Sequence, residues 1–486
     1  MGHEGNPFVE KAIAREISRR QFLKNVGFGA AALSGAQLLA ACGTFGNASG
    51  GSKSGAEAGD ITGKFDWKRE DGTTIKLLLN KHPYTDALLD RLDVFSKLTG
   101  ITVERDIFPE ENYFDKLTVA LSSGQGTYDA FMTGAYQTWQ YGPPGWLEDL
   151  TPWIENESAT NPEYDWEDIY PNLRAADQWN FEAGSELGSG KQLAIPWGFE
   201  SNVVAYNKKV GDKYGVTEAK TLDDLVSVAQ EITDGESGMY GIATRGSRSW
   251  ATIHPGFMTM YSRYGLEDFT ISGDELKPGM ATSEAIEFQD KWAQMNREAG
   301  APGWTSYTWY QASSDLGAGK AGMLFDADIA SYFQNQPGAS NEAGNIRWYP
   351  GPTGPDGSLA TNLWVWSLGM NANSSKKMAA WLLIQYATGK DHLRWGAVNA
   401  DMVDPVRKSV AEDGAFKDRL DKAHPTYLDT FNQVIDQTAI QFTPQEKFFD
   451  ATTSWAAALQ NVYRGDDAKS VMEDLASNLQ SEVNGG

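Results

Sequence analysis

The chain has 486 residues, 41% hydrophobic and 22% charged, which excludes a disordered chain and leaves room for several domains at roughly 100–200 residues each. Its 41 Lys and Arg stand against 65 Asp and Glu, a net charge of −24 at pH 7, which repels nucleic-acid phosphates and anionic lipid headgroups. A single Cys excludes an intramolecular disulfide and a thiolate pair for structural zinc, while 17 Trp, all after residue 60, form an excess that calls for a use.

At the start, Ser18-Arg19-Arg20-Gln21-Phe22-Leu23-Lys24 precedes an uncharged small-residue run, residues 26–41, and then Cys42. A charged stretch followed by a short apolar one reads as an export signal. The run falls short of the roughly 20 strongly apolar residues of a bilayer-spanning helix. Arg19 and Arg20 with Phe22 and Leu23 resemble a twin-arginine signal, and Leu39-Ala40-Ala41-Cys42 resembles the lipobox cut by a lipoprotein signal peptidase. Residues 1–41 are thus expected to be removed, with Cys42 carrying lipid at the extracytoplasmic face of a bacterial cytoplasmic membrane. Residues 42–65, rich in Gly, Ser, Ala and Thr, have the composition of a flexible tether, and no packed structure is expected there.

Residues 73–79 alternate around Ile75, Leu77 and Leu79, a strand, and Leu88, Leu89, Leu92, Phe95 and Leu98 fall on one helical stripe ended by Gly100. Residues 101–103 predict a second short strand, 113–121 a second helix, and 128–132 a third strand ending in Thr133-Gly134. This alternation argues for a mostly parallel sheet with helices on both faces. Ligands of open α/β sheets bind beyond the carboxyl ends of the strands, which marks residues 81–84 and 133–137. Residues 194–206 form another extended stretch, and Thr221-Leu222-Asp223-Asp224 opens a helix of a second α/β unit with a capping-box pattern. Residues 364–370 are extended and apolar, Ser374-Ser375 starts a helix that stops at Gly389, and residues 466–479 make a last helix.

Signatures of catalysis are scarce. The five His are scattered, with no His-Glu-x-x-His pair. Neither Lys191 nor Lys320 completes a phosphate-binding loop, and there is no Gly-x-Ser-x-Gly elbow. No metal or cofactor is implied. Sugars and polyols present C–H faces to indole and phenol rings and hydroxyls to planar polar groups. Clusters of both kinds occur at residues 136–141, at 245–250 with Arg245 and Trp250, at 304–311 with Trp309, and at Trp364-Val365-Trp366. Trp364 and Trp366 point to one side of an extended segment, lining a cleft or packing a core. Asp326 and Asp328 share a side if residues 323–328 are a strand; a solvated loop or a helix cap is the alternative.

Together these segments resemble the extracellular solute-binding proteins that feed sugar ABC importers. The resemblance lies in Phe95-Ser-Lys-Leu-Thr-Gly-Ile-Thr-Val103, Tyr128-Asp-Ala-Phe-Met132, Gly145-Trp-Leu-Glu-Asp-Leu150, Ile195-Pro-Trp-Gly-Phe-Glu200, Ala205-Tyr-Asn-Lys208, Gly319-Lys-Ala-Gly-Met323 and Ala380-Trp-Leu-Leu-Ile384, in family order. It implies an α/β fold of the type II periplasmic-binding-protein kind, two lobes closing on a ligand in the cleft. Lobe 1 would be residues 66–198 and 362–430, lobe 2 residues 199–361 and 431–486. Carried over by position, the ligand would meet His82, Tyr84, Thr133, Tyr136, Gln137, Glu200, Asn202, Asp326 and Asp328, with Glu200 accepting a hydroxyl. Asn362-Leu363 stand where many members have Gly-Gly before the stacking aromatic. Residues 132–141 look closer to members for monosaccharides or polyols than to maltodextrin binders. The resemblance thus implies a monomeric, lipid-anchored receptor without a cofactor, partnered by a membrane permease and capturing a monosaccharide, polyol or short oligosaccharide. Two rivals are an anchored glycan-processing enzyme using Glu200 with Asp326 or Asp328, and a peptide receptor of the same fold.

Overall fold

The computed structural model describes residues 56–273 and 275–485. Arg19, Arg20, the lipobox and Cys42 lie outside the described residues. No helix among the described residues is long and apolar enough to cross a membrane.

Apolar residues alternating at 75, 77 and 79 give β1 (Thr74–Asn80), whose last four residues are buried. Two helices follow, α1 (Pro83–Leu89) and α2 (Leu92–Thr99). The single stripe read from the sequence is therefore broken. Arg91 leaves the helical region at φ −122°, ψ 8°, and it is held there by Tyr386, whose hydroxyl donates to the Arg91 carbonyl. Next come β2 (Thr102–Phe108), longer than expected, α3 (Glu110–Ser122), β3 (Ala130–Gly134) and α4 (Ala135–Tyr141). The chain then runs through the 13-residue β4 (Ile195–Asn207) into α5 (Leu222–Gly235), opened by the Thr221 and Asp224 capping box. Beyond it lie β5 (Tyr240–Ala243), α6 (Trp250–Ile253), α7 (Trp309–Ala318), β6 (Ala321–Ala327), α8 (Asp328–Asn335), β7 (Ile346–Tyr349) and β8 (Leu363–Met370). Helices α9 (Lys377–Ala387), α10 (Tyr427–Val434), α11 (Phe448–Arg464) and α12 (Ala468–Asn484) complete the framework.

The eight strands form one sheet in the order β2-β1-β3-β8-β4-β6-β5, with β7 also on β4. It is mixed, where a mostly parallel sheet was expected. The outer pairs β1·β2, β1·β3 and β6·β5 are parallel, whereas β8 and β4 run antiparallel to their neighbours. The reason is that β4 and β8 are returning connectors instead of members of βαβ units. Strand β4 serves two halves of the sheet. Its first part, to Ser201, pairs with β8, and from Asn202 on it pairs with β6.

Where the chain passes between these halves, Asn362 is a hub. The Asn202 side chain donates to the Asn362 carbonyl at 2.9 Å, the Asn362 amide donates to the His254 carbonyl at 2.5 Å, and the Gln441 backbone donates to Asn362 Oδ1 at 2.9 Å. Three passages of the chain are thereby laced together.

The end of the stretch read as a tether is docked. Ala58 and Ile61 are buried, and the Asn156 amide donates to their carbonyls at 2.6 and 3.0 Å. Lys377, 4% exposed, pairs with Glu57 at 2.6 Å and Glu148 at 2.8 Å. A buried ammonium needs such partners, a requirement that composition does not display.

Candidate functional site

Beyond the end of β1 and across the junction of β4 with β8, aromatic rings form a continuous wall. Trp364 and Trp366 stand on one face of β8, as a strand dictates, with centroids 5.1 Å apart. Trp250 lies 5.4 Å from Trp364. Phe114 of α3 stacks parallel to Trp366 at 6.1 Å, and His82 sits 5.0 Å from the same indole. Tyr84 meets His82 at 4.7 Å and Trp197 at 6.0 Å. Its ring lies so close over Gly198 that a Cβ at that position would collide with it.

Acids line the same place. Trp366 Nε1 donates to Glu200 Oε1 at 2.9 Å, yet burial still pushes the Glu200 carboxyl up to about 7. Asp328 Oδ1 accepts from the backbone of Ser201 and Ile329 at 3.2 and 2.8 Å, and Asp404 Oδ1 accepts from the Tyr427 hydroxyl at 2.7 Å. Burial, with the Asp404 and Glu200 charges acting on Asp328 and the Glu200 charge acting on Asp404, holds both aspartates well above the usual carboxylate range. Arg245 grips Asp326 with two parallel bonds, Nε to Oδ2 at 2.8 Å and Nη2 to Oδ1 at 2.5 Å. It also donates from Nη1 to the Ala251 carbonyl and to His254 Nε2, both at 3.2 Å. Because a guanidinium only donates, the His254 proton sits on Nδ1. Glu110, at the start of α3, is pushed up by burial and drawn back by the Arg245 charge and by the nearby Trp309 side chain.

Buried polar atoms in this region lack protein partners: the Asn80 amide, the Tyr84 hydroxyl, Gln137 Oε1, the Trp197 and Trp364 indole nitrogens, Ser201 Oγ, His254 Nδ1 and Asp404 Oδ2. Each unmet donor or acceptor costs about 1–3 kcal/mol, and native interiors tolerate few of them. Side chains of this kind beside aromatic rings suit a small molecule rich in hydroxyls. Among the described residues no three His, Cys, Asp or Glu side chains converge to hold a metal ion. An open groove lined by residues 184–187, 269–271 and 439–444 borders none of these groups.

Of the residues marked from the sequence, His82, Tyr84, Glu200, Trp250, Trp364 and Trp366 come together in the wall, with Gln137 against Trp364 beside Gly134. Trp309 reaches it through Glu110. Tyr136 and Asn202 are partly engaged within the protein, although the Tyr136 ring lies 5.6 Å from Trp364 and 6.3 Å from Trp250 and Asn202 Oδ1 has no partner. The Tyr136 hydroxyl donates to the Leu363 carbonyl at 2.9 Å and its ring stacks on Phe448, while the Asn202 amide binds the His254 and Asn362 carbonyls. Thr133 is fully buried within β3, opposite Ser367 of β8. Asp326 and Asp328 do not share a strand face. Strand β6 ends at Ala327 and Asp328 opens α8, so Asp326 faces Arg245 while Asp328 faces Ser201. Sequence reasoning missed Asn80, Glu110, Phe114, Trp197, His254, Asp404 and Tyr427. A polar Asn closing an apolar strand was a readable signal; Asp404 sits in an irregular stretch that offers none.

Known proteins share this fold. The pattern described as bacterial extracellular solute-binding protein matches residues 70–392. An erythritol/L-threitol-binding protein of Mycolicibacterium smegmatis is 50% identical, covering 100% of both chains. A mannitol-binding protein of Pseudomonas aeruginosa is 24% identical over 58% of this chain and 61% of its own. Among solved structures, a solute-binding protein of Agrobacterium vitis with bound D-mannitol has a TM-score of 0.70 at 24% identity, covering 85% of this chain and 99% of its own. One of Agrobacterium radiobacter with ribitol has a TM-score of 0.71 at 21% identity, with the same coverage. These two establish the fold, the two-lobed α/β arrangement expected from the sequence.

Proposed function

Because this chain belongs to the bacterial extracellular solute-binding proteins, we propose that it is the receptor of an ABC importer for a short acyclic polyol, held between two closing lobes. The cluster of buried, unpartnered polar atoms under the aromatic wall carries this reading. A polyol turns C–H edges to Trp364 and Trp366 and offers a hydroxyl to each orphaned group. The full-length relative is named for erythritol and L-threitol, which favours a four-carbon ligand. The lobes take residues 66–198 and 362–430, and 199–361 and 431–486, and the laced passages around Asn362 form the hinge. The protein acts as a monomer and transfers its guest to a membrane permease unchanged.

A polyol that binds only the folded protein stabilises it by RT ln(1 + [L]/Kd), about 2.7 kcal/mol at a hundredfold excess over Kd. A thermal-shift panel should therefore show a rise with erythritol or L-threitol that maltose does not give, together with a smaller radius of gyration in solution scattering. Trp366→Ala should weaken binding by about 1–3 kcal/mol. A panel in which no polyol raises the melting temperature, or in which the stabilising polyol is consumed, defeats the proposal.

As a member of an extracellular family the protein works outside the cytoplasm, and we extend this to a lipid anchor on Cys42, exported through the Arg19-Arg20 signal. Two acyl chains hold a protein on a membrane where one myristoyl-length chain, at about 0.8 kcal/mol per buried methylene, binds only marginally. Cys42→Ala should move the mature protein from the detergent phase to the aqueous phase and remove the lipid mass from its N-terminus. Unchanged partitioning would end the anchor reading.

A further inference from the structure

Asp328 and Asp404 are 4% and 1% exposed. Trp348 ties the two together, its Nε1 donating to the Asp328 carbonyl at 3.3 Å and its ring lying 5.1 Å from that of Tyr427; Asp328 is in the field of Asp404 and Glu200, and Asp404 in that of Glu200. Each is fixed on one oxygen, Asp328 by the backbone of Ser201 and Ile329 and Asp404 by the Tyr427 hydroxyl. Asp404 Oδ2 has no partner. The Tyr84 hydroxyl is an independent sign of a guest at this spot. It is wholly buried, lies in the field of Asp404, Glu200 and Asp328 beside the Asp404 backbone, and makes no hydrogen bond of normal geometry.

Two buried acids without a counter-ion are costly unless something donates to them. The burial that disfavours charge on these acids would equally penalise a ligand carboxylate, and the Glu200 charge would add to that penalty. Two hydroxyls on adjacent carbons instead supply two donors at a spacing that bridges two acceptors, and their oxygens remain free to accept from a phenol. The polyol reading above is the premise. On it, we propose that Asp328 and Asp404 form a subsite for one vicinal-diol end of a neutral polyol, each acid accepting a hydrogen bond from one ligand hydroxyl while the Tyr84 hydroxyl donates to a ligand oxygen. The subsite thereby selects neutral polyols over the aldonic acids of the same length.

The test is calorimetry on the full chain with erythritol, L-threitol, ribitol and D-mannitol. It is followed by the aldonate matching the tightest binder and by 1,4-butanediol, which has no adjacent hydroxyls. Asp404→Asn and Asp328→Asn should each weaken the tightest binder at least tenfold, and the aldonate and butanediol should bind wild type at least tenfold more weakly than that polyol. Affinity within twofold of wild type in Asp404→Asn, or an aldonate that binds as tightly as its polyol, overturns the subsite. If the Asn variants fail to fold, Tyr427→Phe decides. It removes only the hydroxyl that aims Asp404 and should weaken binding threefold or more, so an unchanged affinity is again fatal. A wild type that binds none of the four polyols defeats the polyol reading and this subsite with it. Binding by wild type and all variants alike defeats the subsite alone.

Discussion

Replacing Arg245 by Met is expected to cost about 3–5 kcal/mol of folding stability, more than any single change in the aromatic wall costs in affinity. The Arg245 side chain is 7% exposed and its partner Asp326 is 0% exposed. Removing the guanidinium leaves a carboxylate that water cannot reach and that keeps only the backbone amide of Ala327, at 2.7 Å. Replacing the pair together, Arg245→Met with Asp326→Leu, should recover most of the loss, because burying an ion pair is itself expensive and apolar residues of similar volume often match it. Urea denaturation of the two single variants and the double variant separates these terms through the coupling energy. A single variant losing less than 1 kcal/mol would mean that the pair is solvated after all. All three nitrogens of Arg245 are already bonded within the protein, so it acts on the ligand by positioning. The double variant should bind more weakly even where its stability is restored.

The second large effect is on pH. Burial raises the carboxyls of Asp177, Glu200 and Asp268 to about 7, and those of Asp328 and Asp404 well above their ordinary value. A folded-state pKa above the unfolded one means that the native chain binds the extra proton, so stability is full below the unfolded value near 4 and is lost as pH rises through 7. Three buried histidines and the half-buried His82 oppose this. Burial lowers His82 and His392 to about 3 and His424 to about 4, and His254 falls well below its normal value. Their neutrality costs stability only as pH falls below about 6.5. The sum is a stability that rises by on the order of 2 kcal/mol or more between pH 8 and 6.5, then rises more slowly toward pH 4.5 as the four histidines offset four of the five acids. Scanning calorimetry without ligand should show that rise as a few degrees, and Asp177→Asn should remove its share by trapping the neutral form. A melting temperature falling steadily from pH 8 to pH 5 would contradict the assignment.

Local order was readable where a period or a cap wrote it. Residues Ile75, Leu77 and Leu79 announce β1, Thr221 and Asp224 announce α5, and the i, i+2 spacing of Trp364 and Trp366 places two indoles side by side. The break at Arg91 was not readable, because the apolar stripe continues across it and the cause is Tyr386, almost three hundred residues away. The direction of β4 and β8 was hidden for a similar reason: alternation describes a strand and says nothing of its neighbours. In the site, residues next to a regular strand end were within reach. Asp404 and Tyr427 were not, since their meaning arises only when an irregular stretch and α10 bring their side chains beside Asp328.

The hub at Asn362 separates the receptor's tuning from its chemistry. One carboxamide binds the His254 carbonyl and the Gln441 amide while its backbone carbonyl takes the Asn202 side chain, so on the hinge proposed above the bend between the lobes is governed by a few bonds within the protein. Apparent affinity equals intrinsic affinity scaled by the fraction of molecules already in the competent shape. Selection acting on residues 361–363 or 437–441 can therefore raise or lower the concentration at which this receptor responds, to suit a rich or a poor habitat, while the pocket keeps the same preference for its solute.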